Sequence, residues 1–385
     1  MTATAVSAPT PTAQHPFKLG FLTHVNGPGK DARTVYRELL DLFQAADELG
    51  YDGGWVAQHH LRRDYGRLPS PWVFLAAAAQ RAPHLHLGTA VTTLTLEDPL
   101  RLAEDVSVLD AISDGRAELG VGSAGGSYDS FRAFGRVVSD RREVYDDHLA
   151  KLRAALTGQP LTDAPGAPTL QPHSPGLAGR LWQAVGNGER AADAGRLGDG
   201  LLIGTHLLDP ETAQKPIIEA YLAGWRQTHD PDGPEHPRAG IVRWVFPADD
   251  RAAARDDLGP ALVVQREMHR ETYTELGATE LLELTAEQLL DHLHVHCGTV
   301  DEVIASLRAD PALFGYADWF VPIVSHELSD VDADIRRLEV VATEIAPAFG
   351  WSPARETSRV TESPVVSVGA VGDGDVTRFP IGVHR

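Results

Sequence analysis

Apolar positions along the chain alternate between two periods. Short runs rich in β-branched and aromatic residues recur, separated by longer stretches whose apolar residues fall three or four apart. Phe17–Thr23 (FKLGFLT) is the first run. Thr34–Leu49 follows, with Val35, Leu39, Leu42, Phe43, Ala46 and Leu49 at helical spacing and Gly50 as the stop. Gly54–Gln58 reads as a short second strand, and Pro71–Ala82 as a helix closed by Pro83. Leu85–Leu96 (LHLGTAVTTLTL) is the clearest buried strand, Pro99–Ile112 the next helix, and Asp114-Gly115 turns the chain into a strand over Arg116–Val121. Leu181–Val185, Gly200–Ile203, Ile241–Phe246 and Asp318–Val324 continue the strand series, with helical stretches between them. Strands separated by helices need parallel crossovers. Eight such units over this length predict an α/β fold of the (β/α)8 TIM-barrel type, with an open doubly wound sheet as the alternative.

Two segments interrupt the rhythm. Gly158–Arg180 is rich in Pro and Gly and is expected to be a surface insertion. Ala261–Cys297 is too long for one connection, so it is expected to carry helices of its own and to lie over an active site as a lid. The expected organisation is one barrel domain over residues 17–350, with insertions near 158–180 and 261–297. Residues 1–16, rich in Thr, Ala and Pro, lack Lys, Arg and an apolar core segment, so they read as a disordered leader and not a secretory signal. Residues 351–385 have no helical period and read as an appended tail.

Composition narrows the class without fixing it. A hydrophobic fraction of 43% and a charged fraction of 23% suit a chain with a packed core. The formal charge of −20 argues against nucleic acid and anionic membrane surfaces as partners. The one cysteine, Cys297, allows no internal disulfide and points to a reducing compartment. No apolar run reaches the ~18 residues a membrane span needs. A cytoplasmic enzyme is the expectation.

In a barrel of parallel strands the chemistry lies at the C-terminal strand ends. The second strand ends in Gln58-His59-His60, and if it stays extended only one of the two imidazoles faces the barrel mouth. That histidine is either a proton-transfer group or one bonded within a loop. Gly120-Val121-Gly122-Ser123-Ala124-Gly125 matches a dinucleotide fingerprint, but Ser127-Tyr128-Asp129 follows where an apolar helix should begin. These glycines either let a flat ligand or its phosphate approach the backbone or form an ordinary loop. Gly186-Asn187-Gly188-Glu189-Arg190 opens a helix whose N-terminal amides favour an anion, with Arg190 adding charge. The alternative there is a capped turn with Arg190 in solvent. His292, His294 and His296 would share one strand face and meet a metal, but no carboxylate or second cysteine has matching spacing, so no metal is expected. His60, Thr205 and His206 after their strands, and Arg243 within its strand, are weaker candidates for a substrate pocket.

Taken in order, Gln58-His59-His60, Leu87-Gly88-Thr89-Ala90-Val91, Asp98-Pro99-Leu100-Arg101-Leu102-Ala103-Glu104-Asp105, Ser113-Asp114-Gly115-Arg116 and Gly120-Val121-Gly122 form one series. Phe131-Arg132-Ala133-Phe134-Gly135, Arg196-Leu197-Gly198-Asp199-Gly200 and Cys297-Gly298-Thr299-Val300-Asp301-Glu302 extend it. The series resembles the bacterial luciferase-like flavin-dependent monooxygenases, a TIM-barrel family, over roughly Phe17 to Gly350.

The resemblance places the family's catalytic histidine on His59, with Gln58 where the luciferases carry glutamate. It implies a non-prolyl cis bond after Ala90 that abuts the flavin ring, and counts Ala90, Val91, Thr92, Gly122 and Tyr128 among the cofactor-binding residues. It puts the flavin phosphate at Ser123 and at Gly186, Asn187, Gly188 and Arg190. Where the luciferases have an arginine this chain has Ser123, so Arg190 is expected to substitute for it. Gly122 stands where their reactive cysteine lies, and the 125–130 loop differs in length. The implied function is FMN-dependent monooxygenation of a small organic substrate with O2. A separate NAD(P)H-dependent reductase would supply FMNH2, and the chain would pair as a homodimer. The alternatives are an F420-dependent oxidoreductase on the same barrel and a non-catalytic flavin-binding protein.

Overall fold

The protein, described from a computed structural model, is seen over residues 17–124, 128–204, 208–275 and 277–354. The expected leader, most of the expected tail, Thr205 and His206 lie outside the described residues, as does the side chain of Tyr128. Strand β1 (Lys18–Thr23), helix α1 (Ala32–Glu48), β2 (Gly53–Val56), α2 (Pro71–Arg81), β3 (His86–Thr89), β4 (Thr92–Thr93) and α3 (Pro99–Ile112) open the chain. Then come β5 (Ala117–Gly122), α4 (Tyr128–Ala133), α5 (Arg141–Leu156), β6 (Leu181–Ala184), α6 (Gly188–Leu197), β7 (Gly200–Ile203), α7 (Lys215–Thr228) and β8 (Ala239–Pro247). The last part holds α8 (Arg251–Met268), α9 (Arg270–Glu275), α10 (Ala286–His292), β9 (His296–Gly298), α11 (Val300–Ala309), β10 (Trp319–Ile323) and α12 (Val331–Val340).

The sheet closes on itself. Strands β1, β2, β3, β5, β6, β7, β8 and β10 pair in that order, all parallel, and β10 pairs with both β8 and β1. This is the closed eight-stranded barrel with helices between strands, and the open sheet is ruled out. The two short strands are additions: β4 extends the pairing of β5, and β9 pairs with the end of β8 through Val245 and His296.

Strand parity sorts the core into two layers. Leu19, Phe21, Ile241 and Val245 point outward and pack under the helices. Leu22, Trp55, Trp182, Val242, Trp244, Phe246 and Trp319 point inward and fill the barrel. Trp55 meets Trp182 and Trp319 edge-on, with ring centroids 5.9 and 5.7 Å apart. A ring of this size buries enough apolar area to contribute roughly 3 kcal/mol or more. The space comes from glycine: a Cβ on Gly88 would lie 2.4 Å from the Trp55 ring, and one on Gly200 2.2 Å from Trp182.

Several sequence expectations need correction. The buried run Leu85–Leu96 is not one strand: β3 stops at Thr89, the Ala90–Val91 peptide is cis, and Thr92–Thr93 then pairs with β5. The second strand ends at Val56, so Gln58, His59 and His60 lie in the loop beyond it. The long insertion is helical, but α8 already begins at Arg251, where Asp250 caps it, and runs through Ala261. The three alternating histidines share no strand face. His292 ends α10, His294 has a positive φ of 52° and only His296 is in a strand. Among the described residues no cluster of His, Cys, Asp or Glu is placed to hold a metal, and no helix is long and apolar enough to cross a membrane.

Candidate active site

Inward parity, followed past the strand ends, selects the residues of the barrel mouth. On β1 it runs Gly20, Leu22, His24; on β2 it runs Trp55, Ala57, His59. The two imidazoles meet with ring centroids 6.0 Å apart. Their loop is held firmly. The Gln58 amide nitrogen donates to the Glu97 carboxylate at 2.6 Å and to the Pro69 carbonyl at 3.1 Å, while its oxygen accepts from the Thr93 amide at 2.7 Å. The His59 amide donates to the Leu68 carbonyl at 3.1 Å. Gly66, with φ 65°, lies against the ring, and a Cβ there would sit 2.8 Å from His59 Cδ2. The backbone therefore orients His59, while among the described residues neither of its ring nitrogens has a hydrogen-bond partner.

Burial and like charge keep this mouth neutral. Burial, followed by the neighbouring His24, Arg62, His269 and His60, lowers the His59 pKa to about 3. Burial and then His269 lower His24 to about 4. His269 belongs to the junction of α8 and α9, and burial and Arg62 lower it as well. A neutral imidazole carries one N–H donor and one acceptor nitrogen, which suits it to relay a proton without holding a permanent charge. The rim also carries one displaced acid: burial raises Glu327, which follows β10, to about 7, and its charge is felt by Tyr65 and Tyr273. His60 turns the other way and packs its ring on Phe134 at 4.9 Å.

Beside the histidines, Val91 lies over Gly122, where a Cβ would be 2.6 Å from the valine Cγ2. A Cβ on Gly120 would be 1.9 Å from the Thr89 carbonyl oxygen. These two glycines thus allow β3 and the Ala90–Val91 corner to sit close on β5; the close approach at Gly120 is to a strand and not to a ligand. Ser123 accepts from the Thr95 hydroxyl through its carbonyl at 3.2 Å. At the opening of α6 the Asn187 side chain accepts from the Arg190 amide at 3.0 Å, which leaves the Gly188 and Glu189 amides free of helical partners. A Cβ at Gly186 would meet nothing within 4 Å.

Two charged candidates are engaged elsewhere. Arg190 neither faces solvent nor stands ready for an anion: its Nη1 and Nη2 donate to both oxygens of Asp146, at 2.5 and 3.0 Å. Arg243 shares the outward parity of Ile241 and Val245. Its Nε donates to Asp310 at 2.6 Å and its Nη1 to the Val242 carbonyl at 2.8 Å, with both side chains at most 3% exposed. It is therefore a buried structural ion pair and not part of the pocket suggested by the sequence. Conversely, His24, His269 and Glu327 stand at the mouth without having been singled out. Counting by two from Leu22 and from Ile323 would have found the first and the last; nothing local marks His269.

Comparison with known proteins agrees with this architecture. The chain is 28% identical over 351 residues to 4-hydroxyprotoasukamycin monooxygenase of Streptomyces nodosus subsp. asukaensis, covering 86% of this chain and 92% of that protein. It is 37% identical over 125 residues to the alkanal monooxygenase alpha chain of the Kryptophanaron alfredi symbiont, spanning about a third of that protein (34%). Among solved structures it superposes on the monooxygenase RslO1 of Streptomyces bottropensis with a TM-score of 0.70 at 24% identity, covering 87% of this chain and 100% of that one. The FMN complex of the oxygenating constituent of 3,6-diketocamphane monooxygenase from Pseudomonas putida gives 0.67 at 17%, covering 86% and 99%. An F420-dependent secondary alcohol dehydrogenase in complex with an F420–acetone adduct gives 0.64 at 17%, covering 87% and 99%. The family model of the luciferase-like monooxygenases matches residues 18–314, and the chain belongs to that family.

Proposed function

We propose that the protein is the oxygenating component of a two-component monooxygenase, using FMNH2 from a separate NAD(P)H-dependent reductase and O2 to oxidise a small organic substrate. The observation that carries this reading is His59: it stands on the inward side of the rim, oriented by its backbone and by Gly66, with its ring nitrogens unspent on partners among the described residues. Flavin fits the residues around it. The Ala90–Val91 corner over Gly122 offers an apolar ledge next to His59, with Thr92 buried behind it and Tyr128 following in sequence. The open space at Gly186 and the Gly188 and Glu189 amides suit a phosphate, near Ser123 and Asn187. Arg190 would contribute there only by sharing Asp146. Reduced FMN, when bound, supplies the electrons that activate O2. The chain's part is to exclude water with the barrel's tryptophans and the α8–α10 insertion, and to hold or move a proton at His59.

An F420-dependent oxidoreductase is the second reading, favoured by the likeness to the F420-dependent alcohol dehydrogenase. Anaerobic titration with FMNH2 and with reduced F420 separates the two: tight FMNH2 binding followed by O2-dependent substrate oxidation is expected. F420 preference without oxygen consumption would overturn the proposal. In the same assay His59→Ala is expected to lose turnover by about 10²-fold or more, and unchanged turnover removes His59 from the mechanism. Exposed Val73 on α2 and Leu100, Val108 and Ile112 on α3 support pairing of two copies through these helices. Light scattering at the mass of two chains is expected.

A further inference from the structure

The mouth gathers basic groups from three separate elements. His24 comes from the end of β1, His59 and the exposed Arg62 from the loop after β2, and His269 from the insertion at the α8–α9 junction. His24 and His59 face each other at 6.0 Å, and each of the three imidazoles lies within electrostatic reach of at least one other or of Arg62. A chain with a net charge of −20 has gathered cations-in-waiting at one spot. Screening over ~8 Å makes that local set, and not the net charge, decide what enters.

We propose that His24, His59, His269 and Arg62 form the anion-receiving end of the substrate pocket, so that the substrate is an organic acid bound as its anion: a carboxylate, or an acidic phenol or enol. This deepens the monooxygenase reading by naming the substrate class, and it rests on that reading only for the reaction that follows binding. The ring nitrogens of His24 and His59, without hydrogen-bond partners among the described residues, give the anion its donors. The charges that act on His59 and His24 are those of basic groups: His24, Arg62, His269 and His60 on the first, and His269 on the second. Of the acids near the rim, Glu97 is bonded to Gln58 and acts on His60, and Glu327 acts on Tyr65 and Tyr273. An arriving anion adds a negative charge beside these groups and draws a proton onto an imidazole. Trp244, on the inward face of β8, gives an aromatic or apolar body its wall. Only binding and proton uptake are involved in this step; no bond of the ligand changes.

The test compares 2-naphthoate with its neutral counterpart 2-naphthalenemethanol by calorimetry at pH 7, with and without oxidised FMN, in phosphate and in Tris. The acid is expected to bind about tenfold or more tightly than the alcohol, with uptake of roughly half a proton or more per acid bound. His24→Asn, His269→Asn and Arg62→Gln are each expected to cut that preference by about threefold or more, with circular dichroism confirming the fold. The proposal is overturned if the alcohol binds as well as the acid, if the acid fails to bind at about 1 mM, or if the preference survives all three substitutions. Flavin fluorescence is read separately. Failure to bind FMNH2 in the anaerobic titration, with acid preference intact, sinks the monooxygenase reading and leaves the anion pocket standing.

Discussion

His24 and His59 should make the folded protein sensitive to acid. In an unfolded chain a histidine titrates near pH 6.5, whereas burial and neighbouring basic groups hold these two at about 4 and about 3 in the fold. As pH falls through 6.5 the unfolded state takes up protons that the folded state refuses, so the stability present above pH 6.5 is lost on acidification. Between pH 7 and pH 5 the linkage relation gives about 2 kcal/mol for each residue, and the solvent access of the rim brings this to about 1–2 kcal/mol. Glu327 and Asp334, raised to about 7 by burial, act with the opposite sign, because the folded state holds their protons more tightly. The informative quantity is therefore the difference between parent and variant, not the total slope. Urea unfolding followed by tryptophan fluorescence at pH 7, 6 and 5 is the assay. His59→Gln and His24→Gln should each lose about 1–2 kcal/mol less than the parent over that range. Identical pH slopes in all three proteins would show that the mouth does not keep its imidazoles neutral.

Four further variants probe the frame that carries the site. Asp310→Asn leaves the buried Arg243 guanidinium uncompensated and should cost about 3–5 kcal/mol, whereas Asp310→Leu combined with Arg243→Met should recover most of that loss in denaturant titrations. Neither change should alter substrate affinity, as a pocket role for Arg243 would require. Gly120→Ala drives a methyl to 1.9 Å from the Thr89 carbonyl oxygen and should lower the melting temperature sharply, for a cost of about 3 kcal/mol or more. Gly66→Ala should cost about 1 kcal/mol, because the φ of 65° strains an alanine, and should lower turnover as its methyl displaces the His59 ring; unchanged turnover would show that the loop does not orient it.

How much of this was legible depends on where each signal is stored. Helix α3 matches its expected bounds because both ends are written locally: Asp98 caps it through the Leu100 and Arg101 amides with Pro99 at the first position, and Ser113-Asp114-Gly115 ends it. The barrel was readable from the alternation of periods. The break inside Leu85–Leu96 was not readable from periodicity, since an apolar run looks the same on either side of Ala90; it was implied only by family likeness. The site divides similarly. His59 was found because the sequence reads it at the end of the second strand, but its partner His24 lies 35 positions away (59 minus 24), just past β1, and is joined to it only by barrel closure. Arg243 was misassigned for lack of one parity count from Ile241. Arg190 was expected to be available because its partner, Asp146, sits on α5 and has no sequence tie to the α6 turn.

The central claim is that the rim holding His59 and the opening of α6 grip one flavin. Crystals soaked with FMN test it most directly. The account predicts the ring between His59 and the Ala90–Val91 corner, and the phosphate on the Gly188 and Glu189 amides beside Asn187. Flavin bound outside the barrel mouth, or with its phosphate remote from α6, would contradict it.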